Sequence, residues 1–170
     1  MAAQLTQITS RGDFINGAFV ASSADGEIVR VSPRDFGDEV GRVPFARAHV
    51  EMAVAHAREA FFAWSLTSLD ERKRLVLALK ERLKVHADEL ALRITREIGK
   101  PLWEAKGEVQ AALNKIDVTI ADGLPLVAPR EMGSPKQRYD FRPLGVGAVL
   151  GPFNFPLHLV HGHVVPALLT

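Results

Sequence analysis

Cysteine is absent from all 170 residues, which excludes a disulfide framework, a thiolate metal site and a cysteine nucleophile within them. Net charge is nearly absent too. Its 21 Lys and Arg are intermixed with 20 Asp and Glu for a formal +1, so nothing argues for a nucleic-acid or anionic-membrane partner. No apolar run reaches the ~20 residues of a membrane helix, and the start MAAQLTQITSRGDF lacks the basic and apolar segments of an export signal. A cytoplasmic chain with a small-molecule or protein partner is the expectation. Apolar residues make up 47% of the chain, enough at this length to bury a core, and no repeat or low-complexity tract interrupts them.

Along the chain, the first residues are polar and expected to be loose. FINGAFV (14–20) and EIVRVSP (27–33) read as two short strands forming a hairpin across the turn-rich SSADG, and SPRDFGDEVGRVPFA (32–46) as a loop with a further short strand. Helical spacing follows. Val50, Val54, Ala57, Phe61 and Trp64 mark one stripe of a first helix. Ser68 and Glu71 have capping-box spacing for a second, with Leu75, Val76, Leu79 and Leu83 on its buried side. A third helix carries Leu90, Ile94 and Ile98 and stops at Gly99. The fourth starts at Pro101, carries Leu102, Ala105, Val109, Leu113, Ile116 and Ile120, and ends before Gly123 and Pro125.

After Gly123, the Pro- and Gly-rich LPLVAPREMGSPKQ suggests a connection crossing to another part of the molecule. RYDFRPLG (138–145) reads as an exposed or edge strand, VGAVL (146–150) as a parallel strand buried on both faces, and HLVHGHVVPALL (158–169) as a helix containing Pro166.

Several features invite a chemical reading. The glycines at 145, 147 and 151 have the wrong spacing for a dinucleotide fingerprint and read as flanks of a buried strand. His158, His161 and His163 lack a nearby Asp, Glu or Cys to complete a metal shell, so structural or substrate-lining roles are expected. Glu104 and Glu108 form an i, i+4 pair that reads as solvated charge on an exposed helix face. Asn154 stands alone between Phe153 and Phe155, past the expected strand end where ligands of open α/β sheets bind. Its carboxamide is a neutral donor suited to an oxygen that gains charge during reaction, or it ties its own loop backbone; the local sequence leaves both open.

The stretches FINGAFV, SPRDFGDEVGRVPFA, AVAHAREAFFAWS, ERKRLVLALKERL, REIGKPLWEAKGEV, RPLGVGAVLGPFNFP and PALLT, in this order and spacing, resemble the aldehyde dehydrogenase superfamily over nearly the whole chain. Within it, Gly151, His158, Gly162 and His163 are most similar to the succinylglutamate semialdehyde dehydrogenases of arginine degradation. The resemblance implies an α/β fold of which this chain holds the N-terminal part, a helical layer plus the start of a dinucleotide-binding parallel sheet. It implies a hairpin and four helices over 1–123, a crossing segment to an oligomerisation sheet over 124–144, and the first strand and helix of the dinucleotide-binding sheet over 145–170.

The resemblance also implies chemistry. In that family a cysteine thiolate attacks the aldehyde, an asparagine amide holds the oxyanion, hydride passes to NAD or NADP, and a glutamate-activated water releases the acid. Asn154 matches the asparagine. The backbone of Leu150, Gly151, Pro152 and Phe153 matches the nicotinamide side of the cofactor site, and Phe155 and Leu159 match the substrate tunnel. Phe153 stands where many relatives carry tryptophan. A homo-oligomer acting on a small-molecule aldehyde is implied for the full-length form. The family's cofactor lysine, catalytic glutamate and cysteine lie beyond Thr170, so the expectation is either an N-terminal portion of such an enzyme or a non-catalytic binding or assembly module.

Overall fold

The computed structural model describes residues 7–22, 25–133 and 137–170, so the expected loose start and the middle of SSADG fall largely outside it. Three short strands come first: β1 (Ile8–Thr9), β2 (Asp13–Ile15) and β3 (Ala18–Val20). FINGAFV is itself a hairpin rather than one strand. Asn16 and Gly17 both take positive φ (50° and 78°), the geometry of a two-residue turn whose twist matches the flanking strands, and Phe14 meets Phe19 edge-on at 5.1 Å.

EIVRVSP pairs forward instead of backward. β4 (Gly26–Ser32) runs antiparallel to β5 (Asp35–Phe45), and β1 joins the other edge of β5 in parallel, giving the order β1-β5-β4. The stretch expected to be mainly loop is therefore the longest strand of the chain. Its alternation is obscured by Gly37, Gly41 and Pro44, and a register shift beside Arg30 and Val31 accommodates the irregularity.

Four helices follow in the expected order: α1 (Ala48–Leu66), α2 (Leu69–Val85), α3 (Ala87–Ile98) and α4 (Leu102–Val118). Ser68 caps α2 by accepting from the Glu71 N–H at 3.2 Å, while the Glu71 carboxylate turns to Arg74. On α1 no residue is buried; Val54, Ala57, Phe61 and Trp64 are half-buried and Val50 is exposed. On α2 only Val76 is buried, with Leu75 and Leu79 exposed, which corrects the wider buried stripe expected there. Gly99 caps α3 in the left-handed conformation (φ 76°).

α4 is the spine. Ala105, Val109, Ala112, Leu113 and Ile116 are buried along it, and two clusters form on its flanks. Ala105 and Val109 pack with Ala91 and Ile94 of α3. Ile116 packs with Val76 of α2 and with Val165 and Leu169 of α5 (His158–Leu169). The α4 helix does not stop cleanly before Gly123. It widens into a π turn (Thr119–Gly123) and then tightens into a 3₁₀ turn (Leu124–Val127), with Ile120 and Leu124 packed on the second cluster. The Trp64 indole N–H donates to the Leu168 carbonyl at 3.2 Å, tying α1 to α5.

In the crossing segment, β6 (Arg130–Met132) and β7 (Gln137–Tyr139) form a small antiparallel pair, so only the first part of RYDFRPLG is strand. VGAVL forms no strand at all: Leu150 is 94% exposed, and no described strand pairs with residues 146–150. A parallel strand takes its hydrogen bonds from neighbours on both sides. The strands described here are already committed to three other small sheets.

With Phe36, Leu66, Leu144, Leu150 and Phe153 all largely exposed, the isolated 170-residue chain is expected to self-associate. Its amides from 141 to 153 are expected to exchange fast. Ultracentrifugation and hydrogen exchange check this; a monodisperse monomer with protected amides there would contradict the exposure described.

Candidate functional site

The joint between α3 and α4 is three residues long, Gly99 to Pro101. Lys100 follows the Gly99 cap and precedes Pro101, whose φ of −55° starts α4. The Lys100 side chain turns inward to 7% exposure and donates from Nζ to Glu108 Oε2 at 2.6 Å. Glu108 lies on the buried stripe of α4, three residues after Ala105 and four before Ala112, and its side chain is 1% exposed. The expectation that Glu108 is solvated charge is thereby overturned. Glu104, one turn earlier, is half-buried at the rim of a recess.

The second oxygen of Glu108 is also committed. Oε1 accepts the backbone N–H groups of Leu157 and His158, at 3.0 and 3.2 Å, where α5 begins. These are the unpaired donors every helix start leaves over, and a carboxylate there also faces the positive end of the helix dipole. Lys100 Nζ in turn lies 3.9 Å from the Phe155 ring centroid, over its face. A buried ion pair repays its desolvation only when further contacts satisfy its atoms; here both carboxylate oxygens accept bonds and the ammonium also faces an aromatic ring.

Asn154 lies directly before Phe155 and lines a recess of ≈ 210 Å³ with Ile98, Gly99, Lys100, Glu104 and Phe153. Its side chain is exposed and makes no hydrogen bond among the described residues. The loop-tying role left open by the sequence therefore has no bond behind it. Phe153 is largely exposed beside it, and Phe155 is half-buried under Lys100.

Leu150, Gly151 and Pro152 are exposed, and among the described residues their backbone bonds to no other segment. Gly151 touches α5: a Cβ there would sit 2.1 Å from Val160 Cγ2, so only glycine lets the chain pass so close. Leu159 lies on the exposed side of α5. The structure thus gathers Phe153, Asn154 and Phe155 around the Lys100 joint, and leaves Leu150 and Leu159 open.

The histidines divide. His161 is buried, with Nε2 unpartnered, and burial, reinforced by the neighbouring His158, pushes its pKa down. His158 keeps a buried, unpartnered Nδ1, and its ring meets Phe155 edge-on at 6.4 Å. His163 is exposed. Among the described residues no group of three or more His, Asp or Glu is placed to hold a metal ion.

Comparison with known proteins adds to this geometry. The Aldehyde dehydrogenase family model matches residues 19–170. The N-succinylglutamate 5-semialdehyde dehydrogenase of Chromohalobacter salexigens is 41% identical over 161 residues, covering 92% of this chain and 32% of that protein. The protein of the same name from Pseudomonas fluorescens is 44% identical over 125 residues, covering 72% and 26%. Among solved structures, an aldehyde dehydrogenase from Brucella melitensis biovar abortus 2308 superposes with a TM-score of 0.81 at 30% identity, covering 91% of this chain and 32% of that one. A 1-pyrroline-5-carboxylate dehydrogenase from Thermus with bound NAD gives 0.80 at 27%, covering 91% and 31%. The chain spans about a third of the length of the curated relatives it matches.

Removing one partner of a buried pair strands the other charge. Lys100→Met is expected to cost roughly 3–5 kcal/mol in denaturant unfolding. Lys106→Met, which breaks an exposed 2.9 Å pair with Asp88, is expected to fall within about 0.5 kcal/mol of wild type. Equal losses would show that burial of the Lys100–Glu108 pair has no energetic weight.

Proposed function

The chain belongs to the aldehyde dehydrogenase family, and from that premise we propose that it is the N-terminal portion of an NAD(P)-dependent enzyme oxidising an aldehyde to a carboxylic acid. The proposed substrate is N-succinylglutamate 5-semialdehyde, the name borne by relatives 41% and 44% identical to it. The observation that carries the reading is Asn154, a carboxamide with no hydrogen bond among the described residues, beside a recess and on an anchored loop.

As an aldehyde carbon becomes tetrahedral its oxygen takes up negative charge. The Asn154 NH2 is free to donate to that oxygen, and such a donor is worth most when it needs no reorganisation at the moment of reaction. Phe155 and Leu159 provide the apolar wall for the aldehyde chain. The open backbone of Leu150, Gly151, Pro152 and Phe153 offers C=O groups and, except at Pro152, N–H groups that are unpaired among the described residues, of the kind that bond the carboxamide of a nicotinamide ring. When bound, NAD or NADP supplies the hydride acceptor. The attacking thiolate of the family has no counterpart among these residues, since none is cysteine.

The reading includes a cytoplasmic homo-oligomer with an aldehyde as partner and neither nucleic acid nor membrane. No helix among the described residues is long and apolar enough to cross a membrane. The missing thiol also favours a second reading, a binding or assembly module without chemistry. Under either, the 170-residue chain alone is expected to reduce no NAD(P) with any aldehyde, checked by absorbance at saturating cofactor.

In the complete enzyme, Asn154→Ala is expected to slow single-turnover hydride transfer by roughly 10²–10³, about 3–4 kcal/mol of barrier. Asn154→Asp should be slower still, because it sets a negative charge beside a developing one. An unchanged hydride-transfer rate in folded Asn154→Ala would overturn the oxyanion role.

A further inference from the structure

Among the described residues Asn154 makes no side-chain hydrogen bond, so where its amide stands depends on the backbone of residues 153–155. That loop is anchored at three points. Gly151 is seated on Val160 of α5, the Phe155 ring lies under Lys100 Nζ, and the Leu157 and His158 amides are held by Glu108 Oε1. The first anchor fixes the loop only to α5. The other two converge on one buried pair, which is rooted in α4 between the packed Ala105 and Ala112.

We infer that Lys100 and Glu108 are positioning residues for the Asn154 amide: through Phe155, Leu157 and His158 the pair fixes the loop so that the amide faces the oxygen that becomes charged. The inference rests on the oxyanion reading of Asn154. Glu108 is not itself an acid or base in this scheme. Both of its oxygens accept bonds and its side chain is 1% exposed. Because an oriented donor loses its advantage steeply with displacement, freeing the loop is felt in the chemical step, where a misplacement of about 1 Å costs on the order of 10²-fold.

The test is a double-mutant cycle on single-turnover hydride transfer in the complete enzyme, joined to hydrogen exchange at the Leu157 and His158 amides. Glu108→Ala is expected to speed exchange at those two amides and to slow hydride transfer by about 10²-fold. In an Asn154→Ala background the same change is expected to cost almost nothing further, because the clamp acts through that amide. The Glu108→Gln, Lys100→Met double variant keeps an acceptor oxygen and strands no charge, so it is expected to recover most of the rate.

A folded Glu108→Ala enzyme with the wild-type rate would overturn the inference. So would losses that multiply fully across the cycle, since general damage to the fold does not depend on Asn154. Should Glu108→Ala fail to fold, the Glu108→Leu, Lys100→Met double variant, which strands no charge but leaves the α5 amides without their acceptor, takes its place in the same cycle with the same two criteria. Failure of the oxyanion reading looks different: Asn154→Ala alone then leaves the rate unchanged.

Discussion

The Lys100–Glu108 pair is the constraint around which the rest of the structure is arranged. It joins segments far apart in sequence: the cap of α3, the middle of α4, the start of α5 and the aromatic ring after Asn154. Hydrophobic burial brings helices together without direction. Four directed contacts on one buried carboxylate and one ammonium select a single arrangement among the many that burial alone would allow. The cost of taking both charges from water makes partial arrangements of this joint worse than none.

α4 can serve as the platform because two alanines flank Glu108 on its buried face. Ala105 and Ala112 bring the neighbouring backbones close, which keeps the carboxylate within reach of the α5 amides, while Val109, Leu113 and Ile116 fill the volume between. Elsewhere, ion pairs are more local. Arg96 grips Asp38 at 2.6 Å between α3 and β5 and holds that carboxyl below the usual carboxylate range. Ser22 and His49 do the same for Asp13, fastening the first hairpin to α1.

The helices were legible because their apolar periodicity and caps are strong local signals, and Ser68, Gly99 and Pro101 stand where those signals put them. The strands were less legible. Asn16-Gly17 is a hairpin signal inside what reads as one strand, and the long β5 hides behind two glycines and a proline. VGAVL has the composition of a buried strand, but composition does not supply the neighbours that make one. Asn154 stands out in the sequence through its isolation between aromatic residues and through family resemblance. Glu108 was missed although it falls on the apolar stripe of its own helix, because pairing with the next glutamate one turn away suggested solvent instead.

The π turn after α4 bears on how this region tolerates change in length. A π segment is the trace of one extra residue accommodated inside an α-helix, and it sits just past Ile116, where the buried spine is already complete. A chain lacking one residue of Thr119–Gly123 would close to ordinary α geometry, and because a π turn takes one more residue than an α turn to complete the same revolution, the heading of the chain after it would hardly change. Leu124 would stay against Ile116, Val165 and Leu169, and the crossing segment would leave the helical layer on much the same heading. A one-residue change of length is therefore absorbed at this turn, whereas the same change between Ala105 and Ile116 would turn the buried face of α4 by about 100°.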